Sequence, residues 1–169
     1  NGQVVLHSPV KKRHFSVTDL LSRLLSFYAS VKKLGRVATD KAMITLTRND
    51  YEPDLVFFSK EKYDTFSDDQ LLFPAPDFVV EIISKKTASV DRGIKKQDYA
   101  AHGIREYWII DPFRQHIEQY VLLSPNDTHY LPAKTFGLAD EIESFVIKGF
   151  NIPVLALFDE TVNVETMQL

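Results

Sequence analysis

The stretch Phe78–Ser84 restricts the fold of this chain more than any other segment. It reads Phe-Val-Val-Glu-Ile-Ile-Ser, an apolar run interrupted by one carboxylate, and such runs are typical of a β-strand covered on both faces. Side chains alternate along a strand, so Glu81 shares one face with Val79 and Ile83. A carboxylate in that setting costs several kcal/mol to desolvate unless it is paired or binds a metal ion. Glu81 is therefore the first candidate functional residue.

Two interpretations of Glu81 follow from the residues alone. The side chain belongs to a functional site, or it is structural. In the structural case either the strand ends at Glu81, or Glu81 forms a buried salt bridge with Lys95 or Arg105, since ion-pair networks also bury charged groups. The strand pattern does not decide between them.

Asp54 is the second candidate, because it follows Pro53 at the start of a predicted strand. An Asp beside Pro at such a place is commonly turn chemistry. Asp77 has the same Pro-Asp context, but four strand residues separate it from Glu81 by ~13 Å. Two carboxylates that share a Mg²⁺ must each come within ~2.1 Å of it. We therefore expect Asp54 to face Glu81 from a neighbouring strand, and Asp77 to be structural.

Lys95 is the third candidate. On a predicted helix it aligns with Tyr99 and His102 at helical spacing. Next to Lys96, it is explained equally by exposure to solvent. In a metal-dependent phosphodiesterase, however, an ammonium group can act on the attacking water or offset charge in the transition state.

Apolar periodicity predicts two helices. The first covers Phe15 to Leu34, with Ser16 or Thr18 as its cap and Gly35 at its end. The second covers Val90 to His102 and is closed by Gly103. We expect its inner stripe to include Val90, Ile94 and Ala101.

Strands are predicted between and after these helices, and Lys60–Gln70 is predicted to be a loop with a helical turn. The predicted strands are Gly2–His7, Ala42–Leu46, Asp54–Phe58, Phe78–Ser84, Glu106–Asp111 and His116–Leu122, with short β segments between Tyr130 and Leu157. The order of elements indicates an α/β fold with a mixed central β-sheet flanked by helices. The length of 169 residues fits a single domain over 1–169.

Composition narrows the function. The chain has no Cys, which excludes disulfides, thiolate zinc sites and a cysteine nucleophile, and fits a cytoplasmic location. It has no apolar run long enough to span a bilayer and no signal-peptide pattern. Because it begins at Asn1, we expect native residues upstream.

The net charge of −3 argues against a protein that coats nucleic acid through bulk electrostatics. Contacts with DNA would have to come from local clusters, of which we interpret the first two as solvated surface. These clusters are Lys11-Lys12-Arg13, Lys32-Lys33, and Lys85-Lys86 with Arg92, Lys95 and Lys96.

Several of these residues recur in one combined pattern. It consists of Pro53-Asp54, the segment Pro76–Ser84 with its Glu-x-x-Ser, the segment Asp91–Lys95 followed by Tyr99, and Gly103–Pro112 with its Glu-Tyr-Trp. In this combination the chain resembles the bacterial family of putative restriction endonucleases, part of the PD-(D/E)XK nuclease superfamily. The similarity covers most of the chain, including Gly2–Pro9 and His14.

The resemblance implies a restriction-endonuclease-like fold and Mg²⁺-dependent hydrolysis of DNA phosphodiesters, with Mn²⁺ as a substitute. It implies that Asp54, Glu81 and the carbonyl of Ile82 bind the metal. The superfamily's usual Lys would fall at position 83, where this chain has Ile83; in this family the Lys comes from the helix, and Lys95 matches it. The resemblance also makes His14 and Tyr99 candidate accessory residues.

Two functional hypotheses remain. The first is a metal-dependent endonuclease, working as a homodimer if it cuts both strands of a duplex. The second is a nuclease-like module that has lost cleavage and serves in binding or assembly. The net charge, Ile83 and the apolar segment Phe150–Val154, a candidate dimer surface, favour the second. A serine hydrolase lacks support, since the chain has no Gly-x-Ser-x-Gly turn.

Overall fold

The computed structural model describes residues 11–39 and 42–168. The predicted strand Gly2–His7 lies outside these residues. Eleven strands are found in the described part of the chain. They are β1 (Gly35–Thr39), β2 (Met43–Thr45), β3 (Asp50–Tyr51), β4 (Leu55–Ser59), β5 (Leu72–Phe73), β6 (Phe78–Ile82), β7 (Glu106–Asp111), β8 (His116–Val121), β9 (Lys134–Phe136), β10 (Glu141–Glu143) and β11 (Asn151–Pro153).

The helices are shorter elements apart from the first. They are α1 (Lys12–Val31), α2 (Lys60–Tyr63), α3 (Ala88–Val90), α4 (Lys96–Ala101) and α5 (Glu160–Thr166). A π-turn, Asp91–Lys95, joins α3 to α4, so that residues 88–101 form one continuous helix, and a 3₁₀ turn covers Val154–Leu157. In the described part of the chain, no helix is long and apolar enough to cross a membrane.

The main sheet has six strands in the order β1-β4-β6-β7-β8-β9. β6 and β7 run parallel, whereas the other neighbouring strands are antiparallel. Two small sheets, β3-β2-β5 and β10-β11, accompany it. The predicted mixed sheet flanked by helices is therefore confirmed, and β6 occupies a central, covered position as its apolar sequence indicated.

Two apolar layers cover the main sheet. On one face α1 packs against alternate strand residues, with a core that includes Leu21, Leu25, Phe78, Val80, Ile82, Trp108 and Ile110. On the other face the helix 88–101 covers Val79, Ile83, Tyr107 and Ile109 through Tyr99. Glu81 has the parity of Val79 and Ile83 and so faces the helix 88–101, as the alternation of the strand predicted.

The helix boundaries differ from the prediction. α1 begins at Lys12, one turn earlier than expected, so Ser16 and Thr18 lie inside it. In the second helix the predicted inner stripe is wrong, since Val90 is 44% and Ile94 is 48% exposed. The buried side carries Asp91, Asp98, Tyr99 and Ala100 instead. The π-turn adds a residue to one turn, which rotates the face that a regular helical period would bury.

The apolar segment near the C-terminus belongs to the core. Phe150, Ile152 and Val154 are 2%, 3% and 0% exposed and pack in the same cluster as α1. This segment is therefore not the dimer surface considered in the sequence analysis. Its side chains complete the hydrophobic layer on the α1 face of the sheet.

Glu106 is a fully buried carboxylate at the start of β7. Its Oε1 accepts hydrogen bonds from Trp108 Nε1 and Gln119 Nε2, both 2.7 Å long. Its Oε2 accepts from Ser144 Oγ at 2.6 Å and from the Val146 backbone N–H at 2.9 Å. The four donors connect β7, β8 and the segment between β10 and β11, so Glu106 is a structural anchor.

Replacing Glu106 tests this assignment. Glu106→Ala leaves four donors in the interior without their acceptor, so we expect a loss of about 3 kcal/mol in the free energy of unfolding. Urea denaturation followed by circular dichroism measures it. Glu165→Ala, at an exposed position of α5, is the matched control and should change stability by less than about 0.5 kcal/mol. Equal effects of the two variants would contradict the anchoring role.

Candidate active site

Asp54 and Glu81 lie opposite each other where β4 begins and β6 approaches its end. The antiparallel register pairs Leu55 with Val80, and one further step along it places Asp54 across from Glu81. Asp54 Oδ2 accepts a 2.6 Å hydrogen bond from the Ile82 backbone N–H, which ties this carboxylate to the end of β6. The structure thus brings together the two carboxylates that we expected on neighbouring strands.

Glu81 is only 4% exposed and is engaged from the helix 88–101. Lys95 Nζ lies 2.9 Å from its Oε1, and the Tyr99 hydroxyl donates a 2.7 Å hydrogen bond to the same oxygen. The buried salt bridge with Lys95, one of the two interpretations from sequence, is therefore present. Both contacts use Oε1. Among the described residues, none forms a hydrogen bond with Oε2.

Asp91 belongs to the same buried cluster as Glu81 and Lys95. It is part of the sequence pattern that resembles the family, but that pattern gave it no role. It is 2% exposed, and its Oδ1 lies 3.0 Å from Lys95 Nζ without an aligned hydrogen bond from any described residue. The Lys95 ammonium is thus held between two buried carboxylates. The signal available in the sequence was the spacing of four residues between Asp91 and Lys95.

The π-turn places this cluster. It spans Asp91–Lys95 and turns the side chains at both of its ends toward Glu81. Such turns are rare in proteins, and many of those that occur lie at functional sites. Arg92, inside the same turn, points elsewhere and forms a bidentate ion pair with Glu118, with contacts of 2.5 and 3.0 Å. Of the basic cluster named from sequence, Lys95 is therefore the residue that joins the carboxylates.

His14 approaches the site from the other side of the sheet. Its Nε2 lies 3.2 Å from Asp54 Oδ1, and its ring is positioned in the first turn of α1, beside the Thr18 hydroxyl at 3.5 Å. Asp54 is thereby contacted by α1 through one oxygen and by β6 through the other. Both accessory candidates, His14 and Tyr99, touch a candidate carboxylate.

Tyr51 and Asp98 form a wall that the sequence did not indicate. The Tyr51 ring packs edge-on against Tyr99 at 5.4 Å between centroids, and Lys95 Nζ lies 6.0 Å from the Tyr51 ring centre. The Tyr51 hydroxyl donates a 2.5 Å hydrogen bond to Asp98 Oδ2. This contact anchors β3 to α4 beside the candidate lysine.

The buried charges shift one another's proton affinity. Burial raises the pKa of Glu81 to about 7, with Lys95 opposing the shift and Asp54 and Asp91 adding to it. Burial would lower the pKa of Lys95, but the charges of Glu81 and Asp91 outweigh it and raise that pKa. Near neutral pH the lysine therefore keeps its proton, whereas Glu81 is poised to gain or lose one.

The donor chemistry of the site fits Mg²⁺. Within the described residues, no group of three or more His, Cys, Asp or Glu side chains is arranged to hold a metal ion. Mg²⁺ does not need such a group, because it is usually bound by one or two carboxylates and keeps several waters. Asp54 and Glu81 supply two hard oxygen donors at one end of the sheet, and the contacts of Glu81 with Tyr99 and Lys95 use Oε1 only.

Other residues considered from sequence lie away from this cluster. Asp77 Oδ2 accepts a 2.7 Å hydrogen bond from the Ser59 N–H, and its Oδ1 lies 2.8 Å from Lys62 Nζ, consistent with a structural role. Arg105 stacks on the Phe145 ring at 5.0 Å. His102 Nε2 accepts a 3.1 Å hydrogen bond from the Thr47 N–H, so its ring is not directed at Glu81.

The structure shows why an isoleucine, rather than the lysine expected from the resemblance, fits at position 83. The Ile83 side chain is 6% exposed and packs in the apolar cluster with Val79 and Tyr99. A cation is nevertheless present beside Glu81, because Lys95 reaches it from the helix 88–101.

Comparison with known proteins identifies the family and the fold. The sequence profile of the Uma2 family, described as putative restriction endonuclease, matches residues 1–155. The fold is similar to that of a putative nuclease of the DUF820 group from Anabaena variabilis ATCC 29413, with a TM-score of 0.77 and 16% identity over 93% of this chain and 86% of that chain. No curated protein matches the chain in sequence.

The profile match covers most of the chain, and the fold agrees with that of a nuclease-like protein. This chain belongs to the Uma2 family of putative restriction endonucleases.

Proposed function

We propose that the chain is a Mg²⁺-dependent endonuclease that hydrolyses DNA phosphodiester bonds. The observation that carries the proposal is the convergence of Asp54 and Glu81 from adjacent strands, with the Lys95 ammonium 2.9 Å from Glu81 Oε1. Family membership supports a nuclease reaction. Two carboxylates can hold a metal ion, and a cation beside them can stabilise the charge that develops on a phosphate.

Asp54, Glu81 and the carbonyl of Ile82 would hold the metal. A bound Mg²⁺ would lower the pKa of a water molecule and offset negative charge on the scissile phosphate. Asp54 is suited to this role because the Ile82 N–H and His14 fix its orientation. Glu81 is suited because Tyr99 and Lys95 restrain Oε1 while Oε2 remains available.

Lys95 would act on the phosphate. Its pKa is raised by the two neighbouring carboxylates, so it remains protonated and is a poor base in this arrangement. A protonated amine can instead donate to a phosphate oxygen and stabilise the charge that develops as the bond breaks. Asp91 would keep the amine in place when a substrate competes for it.

A second candidate is a nuclease-like binding or assembly module without cleavage. The observation that favours it is the completed salt bridge between Glu81 and Lys95, which gives the buried carboxylate a partner without a metal. Both proposals are compatible with a homodimer, which would supply two sites for the two strands of a duplex.

Plasmid nicking tests the catalytic proposal. With Mg²⁺ or Mn²⁺, we expect wild type to nick supercoiled plasmid, and Asp54→Ala, Glu81→Ala and Lys95→Ala to be slower by about 100-fold or more, because each removes a charge that stabilises the transition state. Lys134→Ala, at an exposed position of β9, is the control for loss of one positive charge. Equal traces of activity in all proteins would mean contamination and would refute the proposal.

The raised pKa of Glu81 predicts a pH-dependent stability. Its folded pKa of about 7 exceeds the ordinary value of about 4.3, so the folded state favours the protonated form, and this stabilisation is lost as pH rises through about 7. We expect Glu81→Gln to gain on the order of 3 kcal/mol relative to wild type between pH 4 and pH 8 without metal.

Urea denaturation of the two proteins across this range measures the difference. Glu165→Gln, on exposed α5, is the control and should show no such trend. A constant difference between Glu81→Gln and wild type would mean that Glu81 has an ordinary pKa.

Metal binding separates the two candidate functions. A ligand must be deprotonated to bind a cation, so Mn²⁺ should raise the melting temperature of wild type more at pH 8 than at pH 6. Glu81→Ala should abolish the rise while leaving the fold intact. If Mn²⁺ leaves the melting temperature unchanged at both pH values, the non-enzymatic module is the better description.

A further inference from the structure

An exposed phenylalanine stands at the rim of the candidate active site. Phe113, in the turn between β7 and β8, is 71% exposed. The turn is well ordered by its own contacts, because Asp111 Oδ1 accepts hydrogen bonds from the N–H groups of Phe113 and Arg114 at 2.9 and 3.0 Å. The ring itself is open to solvent, so it can contact a ligand; its position and its neighbours decide whether it does.

The strand register places this turn at the end of the sheet that carries the carboxylates. β7 runs parallel to β6 with Ile82 opposite Ile110, and the chain reaches Phe113 three residues later. On the other side, the Arg13 guanidinium lies 5.3 Å from the centre of the Phe113 ring. Arg13 directly precedes His14, which contacts Asp54 at 3.2 Å. Phe113 is thus linked to the candidate site through α1 and through β7.

Several exposed basic residues lie on the segments at this end of the sheet. Arg13 and Arg114 are exposed beside Phe113, Lys11 and Lys12 are exposed at the start of α1, and Lys85 and Lys86 are exposed just after β6. The cluster Lys11-Lys12-Arg13, which its sequence alone indicated to be solvated surface, directly precedes His14, the residue that contacts Asp54. A cationic rim complements the phosphate backbone of nucleic acid.

We propose that Phe113, with Arg13 on one face of its ring, is a stacking platform for an unpaired base of the DNA substrate. Aromatic rings beside basic residues are the recurrent way of binding single-stranded nucleic acid. In a regular duplex every base is stacked on its neighbours, so the ring can engage only a base that is unpaired or splayed out. The preferred substrate is therefore DNA with a flap, bulge or single-stranded end near the scissile phosphate.

A second copy of this chain fits the patch less well. A stable protein interface needs roughly 800 Å² from each partner. A single phenylalanine ring with Arg13 over it offers a much smaller apolar area. Charge complementarity therefore favours DNA, a polyanion, over a second copy of this chain.

The proposal rests on the proposed nuclease function, but binding can be measured without cleavage. Fluorescence anisotropy in EDTA would compare three labelled probes: a single-stranded oligonucleotide, a flapped duplex and a fully paired duplex. We expect wild type to bind the first two more tightly than the third. Phe113→Ala should weaken binding of the first two by about tenfold and leave the third unchanged, while Phe113→Trp should retain the affinity.

Two control variants make the result specific. Phe27→Ala removes a phenylalanine that is 46% exposed and lies about 20 Å along α1 from His14; its binding should match wild type. Lys95→Ala should still bind the flapped probe although its cleavage is lost. If wild type prefers the flapped probe but does not cleave DNA with Mg²⁺, the nuclease proposal alone is refuted. The stacking proposal would be overturned if wild type bound all three probes equally, or if Phe113→Ala bound them as wild type does. It would also be overturned if Phe113→Ala differed from wild type in oligomeric mass in sedimentation, because the ring would then belong to an interface between copies of the chain.

Discussion

The burial of one negative charge organises the functional end of this protein. Glu81 lies in a strand that both faces of the sheet cover, and its carboxylate cannot stay ionised there without compensation. The compensation comes from the helix 88–101, through the ammonium of Lys95 and the hydroxyl of Tyr99. The π-turn spans Asp91–Lys95 and carries this cation together with a second buried carboxylate, Asp91, which shares it.

Two buried carboxylates, Glu106 and Glu81, differ in whether they serve the fold or are suited to a functional site. Glu106 accepts four hydrogen bonds and uses both of its oxygens, so its bonding capacity is spent on the fold. Glu81 concentrates its contacts on Oε1, lies opposite a second carboxylate and has a pKa raised to about 7. A carboxyl group with an available oxygen and a perturbed proton affinity is the one suited to a ligand.

Much of the site could be predicted from local patterns. The alternation of β6 correctly put Glu81 on the face away from Val80, and the length of four strand residues correctly separated Asp77 from the cluster. The inner face of the second helix could not be predicted, because a regular period of 3.6 residues does not hold through a π-turn. The contact of His14 with Asp54 could not be predicted from local patterns either, since the two residues are 40 positions apart in the chain; only the family resemblance pointed to His14.

The sequence by itself determined the covered strand, its single misplaced carboxylate and the family to which the chain belongs, because these depend on residue order and side-chain alternation within short segments. Only the tertiary structure decided that Lys95 rather than Arg105 neutralises Glu81, that Asp91 shares this cation, and that Arg13 meets Phe113 beside the carboxylates. The physical reason is that the pairing of buried charges depends on distances between elements far apart in the chain, which packing of the two layers on the sheet sets.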